Sequence, residues 1–266
     1  MNRHDFIRNI PKLKEIYVLH SRYTKLPFVF CHKETMDDYI VIYTQEEPTV
    51  ARAKAMIAEK RPATVVKCSD KEIPQIFSSL KELGVNAIEF IGREAGEDYL
   101  VQTKEFLRWP DFSDRPLEQR PVENPALQLS LLYFLQEYRR EADAPQRGDV
   151  QELSEEVYAN LARARFLLGA QPVEDGSGKN KNALMLMKDQ EGKALLPLFT
   201  DIFEVRRFAR NNPPKQFVGA DLKRAAQIVD QSEATGVVIN PGSSNYAIEA
   251  GKVKEILDAF AGDDEA

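Results

Sequence analysis

The sequence predicts an α/β fold of the α+β kind, built as two tandem related units, each a mixed sheet covered by helices. Three observations predict it. First, the apolar-aromatic run Tyr39-Ile40-Val41-Ile42-Tyr43-Thr44 has a counterpart in Ala194-Leu195-Leu196-Pro197-Leu198-Phe199-Thr200. Second, both runs are followed by the same order of elements. An amphipathic segment (50–57; 205–209) leads to a short apolar strand (64–66; 216–218) and a second amphipathic segment (73–83; 222–229). A strand opened by a glycine follows (84–91; 236–239), and Gly92 or Gly242 closes the unit. A shared order at a nearly constant offset is the signature of an internal repeat. Third, residues 103–123 carry Pro110, Pro116 and Pro121, which bar both a helix interior and a central strand. The expected division is a diverged first unit at 1–115, a connector at 116–123 and a second unit at 124–266. The connector region also holds Leu107, Trp109 and Phe112, which suit a chain that lies across a surface.

The first unit opens with strands at 16–19, 27–31 and 39–43. The second opens with Asn124-Pro125, a cap and a first helical position, followed by Leu127, Leu131, Phe134, Leu135 and Tyr138 on one helical face. Leu129, Leu132 and Tyr133 fall outside that face, so this helix is expected to meet two partners. A further helix stacks Leu153, Val157 and Leu161. Then comes a meander of three antiparallel strands, at 165–169, 183–187 and 194–199, with Gly192 in its tight turn. Helix, strand, helix, strand and a closing helix carrying Ile248, Val253, Ile256, Leu257 and Phe260 complete the unit. Strands and helices in this order form a layered sheet with helices over at least one face.

Composition sets the class. The chain has 266 residues, 43% hydrophobic and 29% charged, as ordinary globular proteins do. No apolar run approaches the roughly 20 residues of a membrane span. The first residues lack a signal-peptide core, and Cys31 and Cys68 make no disulfide framework, so the expected compartment is the cytoplasm. The first 120 residues are neutral, with 19 basic and 19 acidic side chains, so the net charge of −6 lies in the rest. That balance argues against nucleic-acid binding, which needs a basic field.

The second half resembles the N-terminal domain of the SseB family, the "enhanced serine sensitivity" proteins. The resemblance rests on the Asn-Pro-Ala-Leu helix, Arg165-Phe166-Leu167-Leu168, Pro197-Leu198-Phe199-Thr200 with Arg206-Arg207-Phe208, and Gly236-Val237-Val238-Ile239-Asn240-Pro241-Gly242. The first half is similar in outline alone: Tyr43-Thr44 stands for Phe-Thr, and Glu89-Phe90-Ile91-Gly92 for Ile-Asn-Pro-Gly. The resemblance implies a bacterial, cytoplasmic domain without established catalytic residues, and a family name that records a phenotype.

Two places are candidate interaction sites. Arg206, Arg207 and Arg210 follow a strand-to-helix junction at Thr200-Asp201, where Asp201 and Glu204 have the spacing of a reciprocal capping box. The bland reading there is capping; the functional one is an arginine-bearing helix that meets an acidic partner. The second place is Asn240, Gly242, Ser243 and Ser244, a loop that could aim backbone N–H groups at an anion or peptide, or could simply be a turn. Gly176-Ser177-Gly178-Lys179-Asn180 resembles a phosphate loop but fails it: position 173 is Val and position 180 is Asn. Cys31, His32 and Cys68 lack the close pairs of a zinc site. Asp37-Asp38 has nothing to mark it as an acid/base couple. No catalytic residues, cofactor or metal are expected. The expected function is a non-enzymatic protein-interaction or regulatory module with an unknown protein partner, and neither nucleic acid nor membrane. The alternative is a small-ligand sensor or enzyme using a cleft between the units through Asn240, Ser243 and Ser244.

Overall fold

A computed structural model describes residues 2–92, 98–174, 180–209 and 214–261. Its chain order opens with α1 (Arg3–Asn9), β1 (Glu15–Ser21), β2 (Val29–Cys31), β3 (Asp38–Tyr43) and α2 (Glu46–Ala58). Then follow β4 (Ala63–Ser69), α3 (Ile73–Ser79), β5 (Ala87–Ile91), β6 (Tyr99–Gln102), α4 (Pro125–Tyr138) and α5 (Val150–Ala162). The rest is β7 (Arg165–Glu174), β8 (Asn180–Leu184), β9 (Met187–Lys188), β10 (Ala194–Leu198), α6 (Ile202–Phe208) and β11 (Gln216–Asp221). The chain closes with α7 (Leu222–Asp230), β12 (Gly236–Ile239), β13 (Tyr246–Glu249) and α8 (Ala250–Ala259). The mixed sheets with helices over them are the α+β fold the sequence predicts. Among the described residues no helix is long and apolar enough to cross a membrane.

The chain forms two compact units. One is Met1–Pro116 with Gln128–Leu153, the other Leu117–Leu127 with Ser154–Ala266. Most of α4, placed at 124–266 by the sequence, therefore lies in the first unit. The reason is visible in its contacts: Leu132 enters the first unit's core, with Leu129 and Tyr133 against it. Tyr138, assigned to the apolar face by its spacing, is 53% exposed and stacks on Phe134 at 4.9 Å.

In the first unit the strand order is β4-β1-β3-β5-β6, with β2 beside β3. The pair β3–β5 is parallel and the others are antiparallel. Strand alternation sends Ile16, Val18, Ile40, Ile42, Ile88 and Phe90 to one face, with Phe6 of α1 and Ile73 and Phe77 of α3. Tyr17, Leu19, Val41 and Tyr43 go to the other, with Ala53 and Met56 of α2. Both faces are covered, so these strands read as unbroken apolar runs rather than alternating ones.

In the second unit β11-β7-β8 form one sheet and β13-β12-β10-β9 another. A bridge joins them, where Leu167 and Phe199 exchange N–H···O bonds of 2.9 and 3.1 Å. The expected single meander is thus split between two sheets: β7 pairs with β8, and β10 with β9. With the bridge counted, the order β11-β7-β10-β12-β13 repeats that of β4-β1-β3-β5-β6, down to one parallel pair, β10–β12. Both α7 and α8 pack on β12 and on each other.

Helix α4 is fixed to the first unit by Gln136. Its side chain accepts from the N–H of Val29 at 3.0 Å and donates to the carbonyl of the same residue at 3.1 Å, as a neighbouring strand would. Nearby, Arg140 donates to the carbonyls of Lys60, Glu59 and Pro145. Asp38 begins β3 and accepts from the Tyr133 hydroxyl at 2.6 Å. Burial pushes the Asp38 carboxyl up, the Tyr133 bond opposes that, and the charge of Asp37 adds to it. The Asp37–Asp38 pair is therefore part of the framework, with Asp37 accepting from Asn86 at 3.0 Å.

Because Val29 is buried, Gln136→Leu leaves its N–H and C=O without the carboxamide. The expected loss is roughly 2–4 kcal/mol of unfolding free energy, measured by urea titration.

Candidate functional site

The arginine helix and the Asn240 loop, singled out separately in the sequence, form one cluster in the second unit. The parallel pair β10–β12 brings them together: both strands end at the same edge, so the turns after them lie side by side. Asn240 adopts φ +47°, the left-handed region that Asn tolerates better than other side chains. Its Oδ1 accepts from the N–H of Thr200 at 3.0 Å, and its Nδ2 donates to Thr200 Oγ1 at 2.9 Å. Thr200 in turn donates to Asp201 Oδ2 at 2.9 Å. Asp201 is the N-cap of α6, accepting from the N–H groups of Phe203 and Glu204 at 2.8 and 3.0 Å.

The expected capping box forms only in part. Glu204 lies inward, where it accepts from the Ser243 hydroxyl and pairs with Arg207 Nε at 3.4 Å. Burial pushes the Glu204 carboxyl up to about 7; Arg207 holds it back, the charge of Asp201 adds to the rise, and the Ser243 bond opposes it.

Gly242 is required by close approach. A Cβ there would stand 2.9 Å from the backbone N and 3.0 Å from the Cα of Phe208. The loop thus lies against the last turn of α6. Ser243 donates its N–H to the Asn240 carbonyl at 3.0 Å, and Ser244 is buried. The first half does without this device: Thr44, which follows β3 as Thr200 follows β10, bonds the carbonyl of Ile91 instead.

The structure brings Arg207, Asn240, Gly242 and Ser243 together and buries most of their polar capacity. Arg206 stays on the surface, its guanidinium 6.0 Å from the Phe203 ring centre, with the exposed Ile202 one turn earlier. Arg210 and the loop at 175–179 lie outside the described residues. Sequence reading missed Glu204 as the hub, although its place on the inner face, one residue before Val205, was a usable signal. It also missed a surface depression of about 530 Å³ lined by Arg163, Arg165, Lys223, Asp221, Asp258 and Phe260. Those residues are scattered along the chain and have no common motif. Burial pushes the Cys68 thiol up, and burial with the charges of Asp38 and Asp37 raises that of Cys31, which is the opposite of thiolate activation. Among the described residues no group of three His, Cys, Asp or Glu side chains is placed to hold a metal ion.

The fold and cluster define an α+β protein whose second unit carries a strand–loop–helix junction closed by buried hydrogen bonds. Residues 142–255, in the second half of the chain, match the family model of the SseB protein N-terminal domain. No curated protein matches the chain. Among solved structures, Anabaena Tic22, described as protein transport, is similar at 11% identity, covering 97% of this chain and 98% of that one, with a TM-score of 0.24. Tic22 from Plasmodium falciparum is similar at 10% identity over 82% of this chain and 84% of its own, with a TM-score of 0.22. At these scores the likeness carries no argument about function.

Two outcomes follow. Gly242→Ala forces the loop off α6 and is expected to cost roughly 1–3 kcal/mol, read from thermal melts. The Glu204 carboxyl binds its proton more tightly in the folded chain than in the unfolded one, whose value is 4.5. Its contribution is therefore fully present below about pH 4.5 and is lost as the pH rises through about 7. Glu204→Gln removes this dependence. The difference in stability between wild type and variant is expected to move by up to about 3 kcal/mol in the variant's favour across that window, followed by denaturant titration at stepped pH.

Proposed function

We propose that this chain is a non-enzymatic, cytoplasmic protein-interaction or regulatory module, in which α6 presents Ile202, Phe203 and Arg206 to an acidic partner segment. One observation carries the reading: the polar groups at the Asn240–α6 junction are bonded to one another, which leaves the outward side of the helix as the part available to a partner. Arg206 lies above Phe203, so the surface offers an apolar ring and a cation together. The SseB family match at 142–255 agrees with this reading, since the resemblance implies no catalytic set. The first unit is, in this proposal, a diverged version of the same fold, supported by its matching strand order.

A second reading, a small-ligand sensor, draws on the depression beside Arg163, Arg165 and Lys223, which suits an anionic ligand partly balanced by Asp221 and Asp258. Thermal-shift screening with small anions separates the two, since the first reading expects no shift.

Arg206→Glu reverses the exposed charge and leaves the Glu204–Arg207 pair in place. Proteins retained by the purified chain from its own cells are expected to be lost with Arg206→Glu and kept with Lys223→Glu. The same set bound by both variants, or turnover of a metabolite by the purified chain, refutes the reading.

A further inference from the structure

Strand β11 closes one side of its sheet and is open on the other. It pairs with β7 along its whole length, from Gln216↔Ala170 to Asp221↔Arg165, and among the described residues no strand lies beyond it. Phe217 and Val218, on opposite faces of the strand, are 39% and 40% exposed. The terminal strand of the first unit differs. There β4 carries Lys67 in its body, and a charge of that kind keeps an edge from pairing with another chain. Between Lys215 and Asp221, β11 has no charged residue.

The backbone groups on the open edge follow from the bonds of β7. The carbonyl of Gly169 accepts from Met185, Leu167 exchanges both its bonds with Phe199, and Arg165 is held at N–H and C=O by the Asn124 carboxamide. Those three residues direct their polar groups away from β11. In an antiparallel ladder their partners do likewise. Gly169 faces Phe217, Leu167 faces Gly219 and Arg165 faces Asp221. The N–H and C=O groups of Phe217 and Gly219 therefore point outward from the sheet.

We propose that this edge pairs antiparallel with the same edge of a second copy of the chain, about a two-fold axis at Val218. This register sets Phe217 opposite Gly219 of the other copy, both with outward backbone groups, so the two exchange N–H···O bonds twice across the axis. It also sets Lys215 opposite Asp221 at each end, which gives two identical ion pairs, each joining opposite charges. Gly219 leaves the space that the Phe217 ring of the other copy occupies; a Cβ there would meet nothing nearer than Arg165 Nη2 at 3.7 Å. A shift of the axis by one residue to either side keeps the backbone bonds but loses the Lys215–Asp221 pairing. The self-matched order of charge, aromatic and glycine is what selects a second copy over an unrelated strand. The inference is independent of the α6 surface.

The test is sedimentation and light scattering of the full chain over a range of concentrations. A reversible dimer is expected. Val218→Lys, which brings two ammonium groups together at the axis, is expected to weaken it roughly tenfold or more. Because Val218 is exposed, this variant is expected to stay folded, which a thermal melt checks. In a Cys31→Ser background, Val218→Cys is expected to form a disulfide between copies under mild oxidation, because Val218 meets itself at the axis. Gln216→Cys, facing Ala220, is not. A chain that stays monomeric throughout, a dimer that Val218→Lys leaves intact, or equal cross-linking by both cysteine variants overturns the proposal.

Discussion

Buried backbone at the end of a strand has to find a hydrogen-bond partner, and in this chain carboxamide side chains supply it. Asn86 accepts from the N–H of Asp38 at the start of β3. Asn124 brackets the N–H and carbonyl of Arg165 at the start of β7 and also donates to the Thr200 carbonyl. Gln136 does the same for Val29, and Asn240 accepts from the N–H of Thr200 while donating to its hydroxyl. A carboxamide carries a donor and an acceptor with no net charge, so it can stand in for a peptide group without the desolvation cost of an ion. Each of these residues holds a helix or a turn in register with a strand that would otherwise end in unpaired groups.

This constraint accounts for the character of the Asn240 cluster. Thr200, Asp201, Glu204, Asn240 and Ser243 are all almost fully buried. Here Asn240 serves Thr200, Asp201 caps α6, and Glu204 takes Ser243 and Arg207. The junction is stiff, and Gly242 lets it be compact. Within this cluster burial raises the Glu204 carboxyl to about 7.

The two units meet the same packing problem with different local chemistry. Each has one parallel strand pair flanked by antiparallel ones. In the first unit a backbone carbonyl, that of Ile91, closes the end of the pair; in the second a side chain does. The edges differ as well: β4 carries Lys67 in its body, whereas β11 has no charge before its last residue, Asp221.

The sequence by itself determined the α+β class, the order of most elements and the likeness of the second half to the SseB N-terminal domain. Those depend on apolar periodicity and turn residues, which are local. It did not determine β6, β13 or α1: Tyr99–Gln102 and Tyr246–Glu249 are four-residue strands whose pairing with β5 and β12 makes them strands. Ile248, read as part of the closing helix, lies in β13 for that reason. The membership of α4 was also beyond it, because Leu132 and Gln136 choose a core far from them in sequence. Likewise the spacing of Asp201 and Glu204 gave the cap but not the destination of the Glu204 carboxylate. Only the parallel register of β10 with β12 brings Ser243 within its reach, and long-range pairing of that kind leaves no mark on a local stretch of residues.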